Sequence, residues 1–288
     1  MPSTQTRHKR RLGQFLQRLR ERSALTHSDV AEYLRRVQSS ISKIENGYML
    51  CSYSELAAML AFFDASEQER AEAQEMWEEA RTSVRRVRHS SSFPHEYRNY
   101  VRSESEADSV RALSTHVLPG LLQTPAYVRA INAAADRVVD ELALERAVAG
   151  KRSRQKRLSD PDPLRLHALI DESALRREVG GPGVMREQLR HVLESAEQEH
   201  VTVQVVPFEL GAYAFSSGPM VILGFEDAAD HDAIYLEHPC GGHWVRSRRT
   251  VEEFAQTFAD VAARAPSPEE SADLVATAMR RWEHDGRS

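Results

Sequence analysis

Residues 37–47, VQSSISKIENG, contain side chains that form hydrogen bonds with flat polar surfaces. Gln38 can donate and accept at once, Ser39 and Ser42 can do either, and Lys43 adds a positive charge. The apolar residues of the helix predicted here are Ile41 and Ile44, one helical turn apart, so they would face a core. The polar side chains would then lie outside, where they suit a planar, polar and charged partner.

The residues around this run predict the helices that would position it. Leu12, Phe15 and Leu19 follow the helical period in a first helix over Arg11–Arg22. Thr26 and Asp29 have the spacing of a capping box, and Gly47 is typical of a helix end. Two short helices joined by a tight turn, inside a five-helix unit, predict a helix-turn-helix. The remaining helices of the unit are predicted at residues 54–63 and 67–81.

The charge of the chain is divided unevenly along the sequence. Residues 1–50 contain ten Lys or Arg and four Asp or Glu, whereas the whole chain of 288 residues has a net charge of −5. A basic end on an acidic protein favours a polyanionic partner at that end, because binding releases counterions. The alternative is a soluble surface whose charges are merely uneven.

The segments LTHSDVAEYL and SSISKIENG resemble the phage-repressor (Xre/Cro-type) helix-turn-helix family, over residues 11–63. The resemblance implies a recognition helix in the major groove, where Gln38 could bind adenine bidentately and Ser39 or Ser42 could contact a base or the backbone. The alternative is that Gln38 and Ser39 only begin and solvate the helix. Arg35, Arg36 and Lys43 are interpreted as phosphate contacts. The predicted DNA-binding residues are His27, Arg35, Arg36, Gln38, Ser39, Ser42 and Lys43.

Two residues depart from the family pattern. Arg35 stands in the turn where the family usually has Gly, and a left-handed conformation there would cost arginine about 1 kcal/mol. His27 stands where the family tends to have Gln at the start of the first motif helix. A histidine could still contact a phosphate, but its charge would depend on pH.

The second half of the chain changes its periodicity. Residues 82–106 predict a linker with one helical turn, and a helix is expected from Ala107 towards His116. Further helices are expected from Pro125, over Arg137–Arg157, over Val184–Glu199, and at 251–263 and 269–282. Strands are predicted at 164–170, 201–208, 219–225 and 233–238, with the first two parallel. The predicted fold is mixed α+β: an all-α helix-turn-helix head (1–81), the linker, and a larger α/β domain (107–288) with a small mixed sheet and flanking helices.

This half also resembles a known domain, through PGLLQTPAYV, the segment from Leu169 to Phe208 and the closing helices. It is similar, over residues 93–283, to the long C-terminal domain of an actinobacterial regulator family. The resemblance implies an antitoxin-like transcriptional regulator that receives a signal or a small partner protein encoded nearby. It implies no catalytic residues.

Candidates for catalysis or metal binding in this half are few. His238, Cys240 and His243 could bind zinc, but no second Cys/His pair lies nearby in sequence, which favours a free cysteine. Asp171 and Glu172 follow a strand, as active-site residues often do, although helix capping by Asp171 explains them equally well. The glycines of REVGGPGV match no phosphate-loop pattern. We therefore expect no enzyme, cofactor or metal.

The remaining expectations concern the compartment, the oligomeric state and the DNA target of the protein. Two cysteines fit a reducing compartment, and no apolar run approaches the ~18–20 residues that span a bilayer. The basic start lacks an apolar region behind it, so a cytoplasmic protein is expected. One helix-turn-helix covers a half-site, which predicts a homodimer on an inverted-repeat operator in double-stranded DNA. The alternative function is a ligand-binding receptor or an enzyme for which DNA binding is secondary.

Overall fold

A computed structural model describes residues 7–86, 95–134, 141–216, 218–226, 231–238 and 241–284. The chain divides into two compact units, Met1–Arg88 and His89–Ser288. The first unit is helical and the second combines a six-stranded mixed sheet with helices, so the predicted fold class is confirmed. No helix within the described ranges has the length and apolar character that crossing a bilayer requires.

The N-terminal unit has the five helices that the sequence predicts. Each contributes buried side chains to one core, including Leu16, Val30, Ile41, Leu56 and Met76. The helices are α1 (Arg7–Arg22), α2 (His27–Tyr33), α3 (Gln38–Glu45), α4 (Tyr53–Phe62) and α5 (Glu67–Arg86).

Local capping sets the beginnings and ends of these helices. Thr26 and Asp29 form the predicted capping box at α2, and a second box, Ser52 with Glu55, begins α4. Helix α3 is terminated by Asn46, its C-cap, and by Gly47, as predicted, and Gly47 has a left-handed φ of +70°. A Cβ there would lie 2.6 Å from the Arg10 backbone, so glycine is required both by conformation and by space.

The second unit contains seven described helices. One of them, α6, has twelve residues within the predicted linker, where a single helical turn was expected, so the expected length of that helix was wrong. The predicted helix over Arg137–Arg157 is observed from residue 141, and residues 137–140 lie outside the described ranges. The helices are α6 (His95–Glu106), α7 (Pro125–Ala134), α8 (Glu141–Gln155), α9 (Glu172–Arg176), α10 (Pro182–Ala196), α11 (Arg248–Arg264) and α12 (Pro268–His284).

The sheet of the second unit has the strand order β3-β2-β1-β4-β5-β6. Strands β1, β2 and β3 are parallel, which confirms the predicted parallel pair, and β4, β5 and β6 are antiparallel to their neighbours. The strands are β1 (Ser109–Ser114), β2 (Arg165–Asp171), β3 (Val201–Val206), β4 (Met220–Gly224), β5 (Ala233–His238) and β6 (Gly241–Val245).

Two strands were not predicted. Strand β1 replaces the helix expected towards His116, because pairing on both sides, with β2 and β4, overrides a local spacing that fits either element. Strand β6 is short and begins with two glycines, and its extended form depends on pairing with β5. Helix α11 covers part of the sheet, with Val251 and Phe258 packed against Leu169 and Ile222.

A buried polar network joins α6 to α8. The Arg154 guanidinium donates from Nε to Oε1 of Glu104 at 2.5 Å and from Nη2 to Oε2 at 2.6 Å. It also donates to the hydroxyls of Tyr97 at 3.0 Å and Tyr100 at 3.2 Å. Burial is the largest influence on the pKa of Arg154 and would lower it, but the interactions with Glu104, Tyr97 and Tyr100 together outweigh burial and raise that pKa. Arg154 is therefore a buried part of the second unit and not a solvent-exposed charge.

Candidate nucleic-acid interface

The turn between α2 and α3 has the geometry of the predicted helix-turn-helix. Arg35 has a φ of +54°, which confirms the left-handed conformation expected at this position. The turn is closed by a bond from the Arg36 backbone N–H to the Ala31 carbonyl at 2.8 Å. The strain of about 1 kcal/mol at Arg35 is offset by the packing of the helices on either side.

Helix α3 is anchored by its apolar face. Ile41 and Ile44 are buried in the core of the unit beside Val30. Helix α1 approaches the end of α3 so closely that a Cβ at Gly13 would lie 2.3 Å from the Glu45 carbonyl oxygen. The backbone of α3 is therefore held on a rigid base, which is what a helix that reads a surface requires.

The polar face of α3 is open to solvent at its beginning. Gln38, Ser39 and Lys43 are exposed. Ser42 is half-buried, and the Asn46 amide donates to its carbonyl at 2.8 Å and to its hydroxyl at 3.3 Å. Ser42 is thus partly engaged within the helix, whereas the amide of Gln38 is presented outwards. The predicted base-contacting roles of these residues stay predictions.

The predicted phosphate contacts differ in how they are held. Arg35 is exposed, whereas the Arg36 side chain donates from Nε to Oε1 of Glu55 at 2.7 Å. Burial would raise the pKa of Glu55, but its bonds with Ser52 and Arg36 outweigh burial and lower that pKa. Arg36 keeps further N–H groups for a phosphate, because a guanidinium has five donors.

His27 belongs to a cluster that sequence reasoning missed. Its Nε2 lies 2.8 Å from Oε2 of Glu45, the last residue of α3. Glu45 is buried and also accepts from Arg20 of α1, at 2.7 Å from Nε and 2.9 Å from Nη2. The hydrogen bond with Glu45 is the largest cause that raises the pKa of Arg20. Arg20 and Glu45 each fall beside the apolar stripe of their helix, but that position does not identify them as partners.

Val37 was not among the predicted DNA-binding residues, because only polar and charged side chains were considered for that role. It directly precedes Gln38, and 66% of its surface is exposed, although valine usually lies inside. An exposed methyl pair beside Gln38 could contact a thymine methyl group in the major groove. Its signal was an apolar residue at the N-cap position, where no side-chain hydrogen bond is made.

The catalytic candidates of the second unit have structural partners. Asp171 caps α9, as the capping alternative expected, by accepting from the Ser173 N–H at 2.8 Å, and it also accepts from the Tyr213 hydroxyl at 2.7 Å. Glu172 is buried and accepts from the Phe208 N–H at 2.9 Å. Both carboxylates of this pair are therefore engaged in hydrogen bonds within the second unit.

The other two candidates of this unit are a glycine turn and the zinc set. Gly180 and Gly181 have φ values of +73° and +88°, before Pro182 begins α10. His238 and His243 lie on the paired strands β5 and β6, and Cys240 lies outside the described residues. Among the residues that are described, no group of three or more His, Cys, Asp or Glu side chains could hold a metal ion.

Two known families match the chain, one within each of its two compact units. Residues 11–73 match the family described as "Helix-turn-helix domain", which supports a DNA-binding regulator. No curated protein and no solved structure has significant similarity to the chain. Residues 97–277, more than half of the sequence, match a second family. The chain therefore belongs to the family described as "Domain of unknown function (DUF5753)".

Proposed function

We propose that the protein is a sequence-specific transcriptional regulator of the Xre/Cro type that reads double-stranded DNA through α3. The observation that carries this proposal is the contrast within α3 between its buried Ile41 and Ile44 and its exposed Gln38 and Ser39. The helix-turn-helix match and the basic charge of residues 1–50 support it.

The experiment that tests this function is a selection of bound duplexes from a randomised DNA library with the full-length chain. A regulator of this kind enriches one motif, and the strongest-binding duplex (the selected duplex) then serves in the measurements below. Failure to enrich any motif, together with equal affinity for all duplexes, would contradict sequence-specific binding.

Replacing Gln38 with alanine should weaken binding to the selected duplex by about 1–3 kcal/mol and relax specificity at one base pair, because an amide reads a base edge bidentately. Replacing Lys43 with alanine should weaken binding to selected and random duplexes alike and reduce the salt slope by about one. Fluorescence anisotropy over a range of salt concentrations measures both effects.

The matched control is Gln68→Ala, which makes the same change at an exposed position of α5. It should leave the affinity for both duplexes unchanged. If Gln38→Ala weakens selected and random duplexes equally, Gln38 does not read a base.

We infer that the regulator binds as a homodimer to an inverted repeat, held together mainly by its second unit. One head covers only a half-site, and two heads spaced by a helical turn of DNA give useful affinity. Light scattering at micromolar concentration should give the mass of two chains, and the selected motif should be palindromic. A monomer that binds a single half-site tightly would rule this out.

We further propose that the second unit is a receiving module rather than an enzyme, in an antitoxin-like regulator of the cytoplasm. Its ligand is a small partner protein encoded nearby or a small effector, and it needs no cofactor. Ligand binding should change the affinity for the selected duplex by about 1–3 kcal/mol, and DNA should change ligand affinity by the same factor. Titration of the neighbouring gene product with and without the selected duplex measures this coupling, and identical affinities would refute it.

A further inference from the structure

His27 links the beginning of α2 to the end of α3 through a hydrogen bond whose direction is determined by its partner. The Glu45 carboxylate accepts two hydrogen bonds from the Arg20 guanidinium, at 2.7 and 2.9 Å, and a carboxylate in such a pair offers acceptors and no donor. The contact of 2.8 Å from Glu45 Oε2 to His27 Nε2 therefore places a hydrogen on Nε2.

The other ring nitrogen of His27 follows from this assignment. A neutral imidazole has one hydrogen, so Nδ1 of a neutral His27 carries a lone pair and is an acceptor. The side chain is 32% exposed, and no further hydrogen bond of the ring is found among the described residues. Nδ1 is thus the nitrogen that is free to meet a ligand.

A phosphate oxygen is also only an acceptor, so it cannot bond to an unprotonated Nδ1. We propose that His27 makes DNA binding proton-linked, with one proton taken up on Nδ1 as a backbone phosphate of the duplex binds there. The product is an imidazolium that donates from Nε2 to Glu45 and from Nδ1 to the phosphate. This inference rests on the proposed DNA-binding function.

The charges around the ring accommodate this second proton. Helix α1 contributes the Arg20 guanidinium and Glu21, which lie 3.6 Å apart, and α3 contributes Glu45. On α2 itself, Asp29 accepts from the Thr26 backbone N–H at 2.7 Å. The Glu45 carboxylate in contact with the ring compensates the charge of an imidazolium, and Glu21 lies beside the Arg20 guanidinium that shares Glu45.

Calorimetry of the full-length protein with the selected duplex, in two buffers of different ionisation enthalpy, counts the protons exchanged. At pH 7.5 the wild-type protein should take up a number approaching one proton per bound protomer. As the pH is raised further, the association constant should fall by up to about tenfold per pH unit, as linkage to one proton requires. Both results come from the unmodified protein and do not depend on the folding of a variant.

His27→Gln removes the titrating ring and should reduce the proton uptake by that same number, leaving binding nearly independent of pH. His8→Gln is the matched control, because His8 also lies beside a carboxylate in the same unit, with Nδ1 3.4 Å from Glu79, and it should keep the wild-type uptake. Wild-type binding without proton uptake, or equal uptake by His27→Gln, would overturn the inference and leave the DNA-binding function standing. No binding to any duplex at any pH would overturn both.

Discussion

Replacing Glu45 with glutamine is expected to destabilise the N-terminal unit by about 3–5 kcal/mol and to remove most of its DNA binding. The change removes the buried carboxylate that pairs with the Arg20 guanidinium and leaves only the exposed Glu21 at 3.6 Å, and taking one partner out of a buried ion pair is costly. The single amide oxygen of glutamine cannot replace both carboxylate oxygens, so the end of α3 loses part of its bonding to α1 and α2. Hydrogen exchange measured on peptides from residues 7–86 reports this loss within the unit itself.

A control with the same change of charge separates this effect from electrostatics. Glu32 is an exposed residue of α2, and Glu32→Gln removes one negative charge from the proposed DNA-binding unit without breaking a buried contact. It should bind DNA as well as the wild type or slightly better, because repulsion of phosphates decreases. If Glu45→Gln behaves in the same way, Glu45 does not hold the recognition helix.

Replacing Arg154 with leucine should cost the second unit about 3–5 kcal/mol of its free energy of unfolding. Glu104 would be left as a buried, uncompensated carboxylate, and the hydroxyls of Tyr97 and Tyr100 would lose a donor. Hydrogen exchange of peptides from α6 and α8 measures the loss.

Two further variants show whether the loss comes from the unpaired buried charge. Arg152→Leu makes the same change at an exposed position of α8 and should stay within about 0.5 kcal/mol of the wild type. Replacing Arg154 and Glu104 together with leucine should recover part of the loss, because no charge is then left unpaired. A loss below about 1 kcal/mol in Arg154→Leu would mean that the pair contributes little to the fold.

Local patterns were sufficient for the first unit but not for the second. Helices α2 and α3 were predicted because capping residues, a helix-ending glycine and an apolar period all lie within a few residues of one another. The strand at Ser109–Ser114 was predicted as a helix because its two pairing partners are distant in sequence, at residues 165–170 and 220–224. A central strand is defined by neighbours that sequence periodicity cannot identify.

The exposed residues of the candidate site could be predicted from the sequence, but the buried contacts that hold its helices in place could not. Gln38, Ser39 and Lys43 could be selected because they are polar residues on a helix with an apolar face. The contact between Arg20 and Glu45 joins residues 25 positions apart, and each looks like an ordinary surface charge when read alone. Such pairs become visible only when two helix faces are brought together.

The bond between Arg36 and Glu55 has a consequence for the entropy of binding. A long, flexible side chain loses rotamer freedom when it binds a phosphate, and this lost entropy costs about 0.5–1.5 kcal/mol of binding free energy for each side chain. Glu55 already restrains Arg36 in the free protein, at 2.7 Å from Nε, and Glu55 is itself fixed by the capping box of α4. Part of the ordering is therefore complete before DNA arrives. A phosphate placed where Arg36 already points gains from this preorganisation, whereas an irregular polyanion that needs Arg36 elsewhere must first break its bond with the carboxylate.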